Sequence, residues 1–578
     1  MRSRQDMHIC DERSVPDIVS LPIRIMKSLA YLTAINALLL ASLFSILLLW
    51  RLTWQVLRVY FLRKYTTVNG LPILGQRREQ MIHGTAVVCG GSISGLITAR
   101  VCSDHFTNVI IVDPELHEVE RSRPSTRIAQ YDSLHGYLTF VLEGMRRLWP
   151  NFDDALRHAG GFVASGDVKP FFSGTLMPAP YEEYARKGAG LPETMFARRH
   201  TLENLLRNLL LGPGRRPNIH TIAGTVRTLD AAHSEGGPLI STVVVRQHNG
   251  GEITINEPTL VADCSGDSQA GLKWLRKAGF AVPPEARLEY DQKLHYVTIT
   301  FSVSPALAPR LDALLRAAGQ EPLERTGWLY TFVPHYNVCS EGFVFGRMDN
   351  GTMQLCCGGW GEVTLPRTPP EIEGFVASMR GREPVPEWLV EMLRVLAEEG
   401  EPTFKPLRIR PCSYIRYQDV QGLPTNFIAV GDAMLQLNPI YAQGCSKAMM
   451  GAVSLNTLLA SCHPVKRVGG AVAMPADFGR RYFEAVGGHG DALWESTKTF
   501  DYGFSSTRPV KGESLECGSF ARWYLDHFID AALKDPELAS CMWHVRMLLA
   551  PPTDMFAPKV LWKLASRTLR THIAHIRA

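Results

Sequence analysis

The sequence lacks the cysteine pattern of a disulfide framework or a zinc site. Twelve cysteines are spread over 578 residues, no Cys-x-x-Cys occurs, and the one close pair, Cys356-Cys357, is adjacent. Scattered thiols of this kind are typical of reduced, buried side chains in a cytosol-facing protein. The sequence therefore predicts neither structural disulfides nor a metal centre.

An excess of one charge is also missing. Lys and Arg number 61 and Asp and Glu number 56, which gives a net charge of +5. No sustained basic stripe with interleaved aromatic residues occurs, so nucleic acid is not an expected partner. Hydrophobic residues make up 46% of the chain and charged residues 20%, which excludes general disorder. At this length two or three compact units are expected.

One long apolar run stands near the N-terminus. Residues 1–27 are mixed in charge and are predicted to form a tail, whereas residues 29–49 contain no Asp, Glu, Lys, Arg or His. About 20 apolar residues span a bilayer as a helix. Residues 28–50 are therefore predicted to be a transmembrane helix, followed by a juxtamembrane linker over residues 51–80. A cleaved signal peptide is the alternative.

Basic residues flank this run unevenly. Four of them follow it between Arg51 and Lys64, whereas Arg24 and Lys27 come shortly before it. The positive-inside rule then places the large C-terminal part in the cytoplasm. We expect a single-pass membrane protein whose folded part faces the cytosol, at the endoplasmic reticulum in a eukaryotic cell.

The most informative stretch runs from residue 84 to residue 113. An apolar run over Ala86–Cys89 predicts a buried parallel strand, and Gly90-Gly91-Ser92-Ile93-Ser94-Gly95 and a helix-like segment follow it. A second apolar run, Val109–Val112, ends at Asp113. Strand, glycine turn, helix, strand and carboxylate within about 30 residues are the layout of a dinucleotide-binding βαβ unit.

Each small residue of this unit has a physical role. Gly90 permits the tight turn, Gly91 and Ser92 let the backbone approach a pyrophosphate, and Gly95 lets the helix pack on the strand. The helix N-terminus offers unpaired N–H groups and a partial positive charge to the phosphates. Asp113 is placed to hold a ribose hydroxyl. A glycine turn in another kind of α/β domain is the alternative interpretation.

A second informative stretch lies far along the chain. An apolar strand ends at Gly431-Asp432, and a turn containing Asn438-Pro439 leads to Gln443-Gly444 and a helix of small residues. An aspartate at a strand end is able to bind the ribityl chain of a flavin, and the N–H groups at the helix start support negative charge on the flavin ring. A plain strand–turn–helix with a solvated Asp432 is the alternative.

Further stretches predict the elements that surround the two candidate binding motifs. The apolar residues 260–263 lead into Cys264-Ser265-Gly266, as expected of a strand that passes close to a dinucleotide. Leu294–Ser304 and Gly342–Cys357 alternate apolar and polar residues and predict strands of a separate, substrate-side sheet. The region after residue 470 is predicted to be mainly helical, with Trp494, Trp523 and Trp543 in its core.

In order and spacing, these stretches resemble FAD-dependent monooxygenases of the aromatic-hydroxylase and squalene-epoxidase superfamily. The similarity runs from about residue 84 to about residue 565. Besides the two informative stretches it includes Arg127-Ile-Ala-Gln130, His135, Arg199 with Leu202-Glu203, Asp263–Gly266, and Trp494 followed by Phe500-Asp501-Tyr502.

This resemblance implies an α/β fold in which a glutathione-reductase-type, FAD-binding Rossmann domain is interleaved with a β-sheet substrate domain. The FAD module would occupy residues 84–469, with about 165–260 and 285–405 partly on the substrate side, and residues 470–578 would form a helical C-terminal region. Carried over by position, the residues that would bind FAD are Gly90, Gly91, Ser92, Gly95, Asp113, Arg199, Gly266, Asp432, Pro439, Gln443 and Gly444.

The activity that the resemblance implies is insertion of one oxygen atom from O₂ into a substrate through a flavin C4a-hydroperoxide. NAD(P)H would donate the electrons, but the family's Asp-Gly pair is Ser265-Gly266 here, so a separate reductase is an alternative donor. The apolar N-terminal run suggests a lipophilic substrate, such as a terpenoid, polyketide or prenylated aromatic of secondary metabolite biosynthesis. No catalytic residue is assigned, and His295, His335 and Tyr336 are interpreted as structural.

Three alternatives remain open. A flavin dehydrogenase, reductase or halogenase would not insert oxygen; the halogenase signature Trp-x-Trp-x-Ile-Pro is absent, and Trp328–Pro334 has the wrong spacing. A nicotinamide enzyme of the short-chain type would need a Tyr-x-x-x-Lys after the first motif, and none occurs at a suitable place. An inactive, membrane-tethered binding protein would have no need of Gly431-Asp432 and Gly444.

Overall fold

The computed structural model describes the backbone of residues 20–116, 130–214, 216–234, 236–466 and 472–577. Side chains are described from residue 36 to residue 567 within these ranges, except at positions 39, 40, 43 and 47. The chain divides into two compact units, the first ending at Val59 and the second beginning at Tyr60.

Helices and strands alternate through most of the chain. Helices α1 to α15 cover Ser20–Tyr65, Ile93–His105, Thr139–Leu148, Phe152–His158, Tyr181–Arg186, Arg199–Leu211, Ala270–Lys277, Ala308–Ala317, Pro369–Ala377, Glu387–Glu399, Gly444–Ser461, Phe478–Asp501, Ser519–Ala532, Pro536–Arg546 and Pro558–Arg577. Strands β1 to β22 cover Ile82–Cys89, Phe106–Val112, Phe162–Ser165, Pro170–Phe172, Thr175–Leu176, Glu193–Phe196, Ile219–Ile222, Gly224–Ser234, Gly237–Gln247, Glu252–Asn256, Leu260–Asp263, Arg287–Tyr290, Leu294–Ser302, Trp328–Val333, Glu341–Arg347, Thr352–Trp360, Thr403–Arg408, Cys412–Ile415, Phe427–Ala429, Leu435–Gln436, Val465–Lys466 and Val472–Ala473.

The predicted transmembrane helix over residues 28–50 is not supported. This stretch is helical, but it is one part of α1, which starts at Ser20 inside the predicted tail and continues through Arg51 and Arg58 to Tyr65. Within the residues that the structure describes, no helix combines the length and the apolar character needed to cross a membrane. Residues 1–19 of the predicted tail lie outside the described residues.

A five-stranded parallel sheet lies at the centre of the second unit, in the order β19-β11-β1-β2-β7. Its central strand β1 pairs Ala86 with Leu260 of β11 on one side and with Val109 of β2 on the other. Ala86, Val87 and Val88 are fully buried, as expected of a strand that is covered on both faces. The structure therefore confirms a mixed α/β fold with a parallel sheet, and it confirms the predicted strand–helix–strand order of residues 82–112.

A second large sheet has seven strands in the order β17-β13-β16-β15-β14-β4-β5, and all of its pairs are antiparallel except β14 with β4. The predicted strand Gly342–Cys357 is in fact a hairpin of two strands, β15 and β16. Along β13, Val297, Ile299 and Phe301 are buried in one core with residues of α8 and α10. The alternate residues Tyr296 and Thr298 point to the opposite face, where they meet the segment that follows residue 130.

The region after residue 470 is mainly helical, as predicted. Trp494 of α12 is buried against Tyr290 and Tyr414, with ring centroids 5.1 Å and 5.8 Å apart, and Trp543 is buried as well. The prediction for Trp523 is wrong, because its side chain is 53% exposed on α13, where it contacts Phe520. The outer face of α13 is thus aromatic without being part of the core.

Candidate functional site

The carboxyl ends of four neighbouring parallel strands lie at one edge of the five-stranded sheet. Strands β1, β2, β11 and β19 lead there into Gly90, Asp113, Ser265-Gly266 and Gly431-Asp432. Ligands of open α/β sheets bind at this edge. The structure thus brings together predicted residues from distant parts of the chain.

Gly90 and Gly95 are required by close packing within the first turn. Gly90 has φ +131°, and a Cβ there would collide with the carbonyl of Cys264 at the end of β11. A Cβ on Gly95 would collide with the carbonyl of Gly90. The roles predicted for both glycines, a tight turn and close helix–strand packing, are therefore confirmed.

Gly91 and Asp113 have a role in the turn itself. The Gly91 N–H donates to Asp113 Oδ2 at 2.9 Å, and the Glu115 N–H donates to Oδ1 at 2.8 Å. The absent side chain of Gly91 faces Asp113 and Leu116. Gly91 is therefore small because it packs against Asp113, whereas the sequence predicted that it would make room for a pyrophosphate. The Asp113 carboxylate closes the turn by accepting two backbone N–H groups.

Ser92 belongs to a buried network of charges. Its hydroxyl donates to Glu203 Oε2 at 2.9 Å and accepts from Arg199 Nη2 at 3.2 Å. Arg207 lies 3.8 Å from the other oxygen of Glu203 and donates to the Gly91 carbonyl. Two guanidinium groups thus surround one buried carboxylate, and the Nε of Arg199 lies 3.8 Å from Glu203 Oε2. The helix N-terminus with Arg199 beside it suits an anion such as a pyrophosphate.

Asp432 follows β19 and is held by the helix behind it. Its carboxylate pairs with Lys447 of α11 at 2.8 Å, and Lys447 Nζ also donates to the Leu435 carbonyl at 2.6 Å. The Lys447 side chain is 6% exposed, whereas that of Asp432 is 44% exposed. Lys447 therefore fixes the position of the Asp432 carboxylate, which is itself partly exposed. Gly431 packs against Ser94 of α2, which joins this strand end to the first turn.

The turn before α11 bounds an open space. A Cβ on Gly444 would meet no atom within 4 Å, and the same holds for Gly266 on the neighbouring strand end. Gln443 Oε1 and Ser446 Oγ are buried, and neither makes a hydrogen bond. Pro439 begins a short 3₁₀ turn over Pro439–Tyr441 in the same segment. Open space beside unpaired polar atoms fits a planar polar group such as a flavin ring.

His135 connects this site to the seven-stranded sheet. Its Nδ1 lies 2.9 Å from the Ser133 carbonyl, and burial, with a contribution from Arg199, lowers the pKa of His135 to about 4. Ser133 Oγ accepts from Tyr296 at 2.9 Å, and the Leu134 N–H donates to Thr298 at 3.1 Å. A neutral imidazole therefore stands between the charged turn and the sheet. Residues 127–129 of the preceding motif lie outside the described residues.

An aromatic wall adjoins the turn before α11. Trp328 of β14 is 6% exposed, and its indole N–H is buried without a hydrogen bond. Its ring lies near Gly136 and Ala442, because a Cβ on Gly136 would be 3.0 Å from Ala442 and 3.4 Å from the indole. Phe196 packs on the same ring at a centroid distance of 5.4 Å. Apolar rings therefore pack against the turn on this side.

The three residues interpreted as structural make structural contacts. His295 Nε2 lies 3.1 Å from the Val363 carbonyl. Tyr336 donates to Asp526 of α13 at 2.5 Å, and His335 Nε2 lies 3.7 Å from the same carboxylate. These contacts join the sheet to its neighbours, so no role in chemistry is assigned to them.

Sequence reasoning did not identify Lys447 or Gln269. Lys447 stands in the first turn of α11, where the helix dipole disfavours a cation, and this position is a signal that a carboxylate lies nearby. Gln269 donates to the Asp432 carbonyl at 3.4 Å from a left-handed backbone position, φ +45°. No sequence pattern marked that residue, because the contact depends on how β11 and β19 end.

A small cavity of about 10 Å³ lies between α11 and α12, and His489 lines it together with Gly431 and Lys447. Among the described residues His489 has no hydrogen-bond or charge partner, and burial lowers the pKa of this histidine to about 4. The unfolded state then binds more protons between about pH 4 and 6.5, so stability falls as the pH falls through this window.

Replacing His489 with Leu is expected to remove this acid sensitivity. Between pH 7 and about pH 5 the wild type should lose about 2 kcal/mol of stability relative to His489→Leu, because one pKa unit corresponds to about 1.4 kcal/mol. Denaturant unfolding of both proteins at the two pH values measures the difference. Parallel losses in the two proteins would show that His489 is not buried as a neutral group.

No protein-family model matches the chain, and no curated protein matches it. Several solved flavoprotein structures are similar at low identity. A flavoprotein/dehydrogenase from Cytophaga hutchinsonii shares 14% identity, with 86% of this chain and 100% of that one covered and a TM-score of 0.49. The flavin-dependent brominase Bmp2 shares 13%, with 85% and 100% covered and a TM-score of 0.48.

A third similar structure is HpxO of Klebsiella pneumoniae in complex with FAD and uric acid, at 13% identity, with 85% of this chain and 98% of that one covered and a TM-score of 0.44. At such identities and scores these similarities carry no conclusion about activity. We therefore base the function on the geometry of the chain itself.

Proposed function

We propose that the protein binds FAD at the sheet edge described above and is a monooxygenase that inserts one oxygen atom from O₂ into a lipophilic small molecule. The observation that carries the proposal is that four strand ends meet at one edge of the sheet beside the start of α11, with open space next to Gly266 and Gly444. Arg199 lies at the first turn, and open space lies beside Gly444 at the start of α11. An elongated dinucleotide suits this arrangement, with its pyrophosphate in the middle, at the first turn, and its flavin ring at the end beside α11.

Different residues of the chain would bind different parts of FAD. The ADP part would lie at Gly90, Ser92 and the first N–H groups of α2, with Arg199 beside the pyrophosphate. The ribityl chain would lie at Asp432, whose carboxylate Lys447 fixes. The ring would lie over the segment Pro439–Gly444, with Gln443 and the helix N-terminus as polar partners. When bound, FAD would supply two-electron redox chemistry and the activation of O₂.

The wall around Trp328 supports a lipophilic substrate. Phe196, Ala442 and the Trp328 ring form an apolar cluster beside the turn, and apolar surroundings that keep water out would protect reactive intermediates of oxygen chemistry. His135 is neutral at physiological pH and is therefore available as a hydrogen-bonding group without adding charge.

The proposal is tested with purified protein. It should retain FAD, oxidise NADPH or NADH faster when a lipophilic phenol or terpene is added, and leave label from isotopic O₂ in the product. Bound flavin with an oxidised but unlabelled product would favour a dehydrogenase, and halide incorporation would favour a halogenase. A colourless protein that is indifferent to added FAD would contradict the proposal and leave a binding protein.

A further inference from the structure

A carboxylate without a cationic partner lies buried beside the turn that the proposed function assigns to the flavin ring. Asp501, the last residue of α12, is 0% exposed. Its Oδ1 accepts from Trp360 Nε1 at 3.0 Å, from Asn438 Nδ2 at 2.9 Å and from the Tyr441 hydroxyl at 3.4 Å. Its Oδ2 accepts from the Tyr290 hydroxyl at 2.8 Å.

The two oxygens of Asp501 serve different parts of the fold. Oδ1 gathers both donors of the turn, Asn438 and Tyr441, together with Trp360 from β16. Oδ2 faces Tyr290 of β12 and touches no residue of the turn. The carboxylate is therefore the common acceptor that ties the turn to α12 and to the seven-stranded sheet.

The turn is a segment that needs such an anchor. Ala442 has φ +56°, a left-handed conformation that side chains other than glycine rarely adopt. Asn438 also bridges the turn internally, since its Oδ1 accepts from the Ile440 N–H at 3.1 Å. Strained conformations of this kind persist only where the surroundings fix them. Asn438 is fully buried, so its amide is committed to these two contacts.

We propose that Asp501 is a positioning residue whose carboxylate fixes the turn Asn438–Ala442 in the conformation that receives the flavin ring. This inference rests on the proposed function, because it presumes that the ring lies at this turn. Asp501 itself would not touch the cofactor. It would act through Asn438 and Tyr441.

A charged acceptor suits this task better than a neutral one. Hydrogen bonds to an ionised carboxylate are shorter and stronger than those between neutral groups. Within the described part of the chain no cation pairs with Asp501, and the titratable groups that face it are Tyr290, Tyr441 and Cys412. Burial raises the pKa of Asp501 to about 6, so the anchor is ionised at neutral pH and is lost on acidification, while the pKa of each neighbour is raised further above neutrality.

The test compares Asp501→Asn with Tyr290→Phe. The first variant keeps the size of the side chain and one acceptor oxygen but removes the negative charge. The second removes the donor to Oδ2 and leaves the contacts of the turn with Oδ1 in place. We expect Asp501→Asn to weaken FAD binding by about tenfold or more and to shift the absorption spectrum of the bound flavin. Tyr290→Phe should change FAD affinity by less than about threefold.

Equal losses in the two variants, or wild-type affinity and spectrum in Asp501→Asn, would overturn the inference. If Asp501→Asn does not fold, the wild type decides: its FAD affinity and flavin spectrum should change together as the pH falls through about 6, and constancy across that range would contradict the anchor. The proposed function fails separately, since a wild type that binds no FAD would refute it. FAD binding without oxygen insertion would leave the role of Asp501 intact.

Discussion

Replacing Gly95 with Ala should abolish FAD binding and destabilise the protein. A Cβ at this position collides with the Gly90 carbonyl, and both partners are backbone, so neither can swing aside. Overpacking of this kind costs about 1–3 kcal/mol or more. Because the displaced atoms form the turn that we propose to bind the pyrophosphate, we expect a loss in FAD affinity of more than about 100-fold, measured by fluorescence titration.

Gly374→Ala is the matched control. Gly374 lies inside α9, where an added Cβ would meet no atom within 4 Å. Ala favours a helix over Gly by about 1 kcal/mol, so this variant should be as stable as the wild type or slightly more stable, with unchanged FAD affinity. A Gly95→Ala protein that binds FAD normally would remove the first turn from the cofactor site.

Replacing Arg199 with Ala should weaken FAD binding by between about tenfold and about 100-fold. The Arg199 guanidinium donates to Ser92 Oγ at the helix N-terminus and lies 3.8 Å from the Glu203 carboxylate. A charge-assisted contact with a phosphate is worth about 1.5–3 kcal/mol. The loss should shrink as salt is added, because the lost term is electrostatic.

Arg146→Ala serves as the control for a general effect of losing an arginine. Arg146 pairs with Asp153 and Glu193 on the surface around α3, away from the first turn. Arg199→Lys keeps the charge without the planar fork and should fall between wild type and Arg199→Ala. Wild-type affinity in Arg199→Ala would mean that the pyrophosphate lies elsewhere.

The sequence predicted best the elements that follow one another directly along the chain. The strand–turn–helix–strand of residues 82–112 depends on glycine spacing and apolar runs that all lie within one short segment. Strand β19, the turn at Gly431-Asp432 and helix α11 follow from the same kind of local pattern. The edge of the sheet at which both segments end then follows from the geometry of parallel strands.

The network around Ser92 needed the structure. Glu203 is separated from Ser92 by more than a hundred residues, and nothing local in either segment predicts that they bond. The reason for glycine at position 91 also differs from the prediction, since its neighbour is Asp113 rather than a ligand. Spacing indicates where a chain turns, whereas burial decides which side chains the turn encloses.

Composition was a weaker guide at the N-terminus. The apolar run at residues 28–50 is a strong local signal for a membrane span, yet it forms one part of a longer helix that also carries Arg51 and Arg58.

The role of Asp501 could not be predicted from its own segment. The Phe500-Asp501-Tyr502 motif stood out in the sequence, but its four donors come from three other segments, so only the fold could assign it a role.

The central claim is that the first turn and the start of α11 bind two parts of one FAD molecule, namely the ADP part and the flavin ring. Hydrogen–deuterium exchange of the protein with and without FAD tests it directly. We predict that FAD slows exchange in two separate segments at the same ligand concentration, namely residues 90–96 and residues 439–447. Protection of only one segment, or of neither, would contradict the claim.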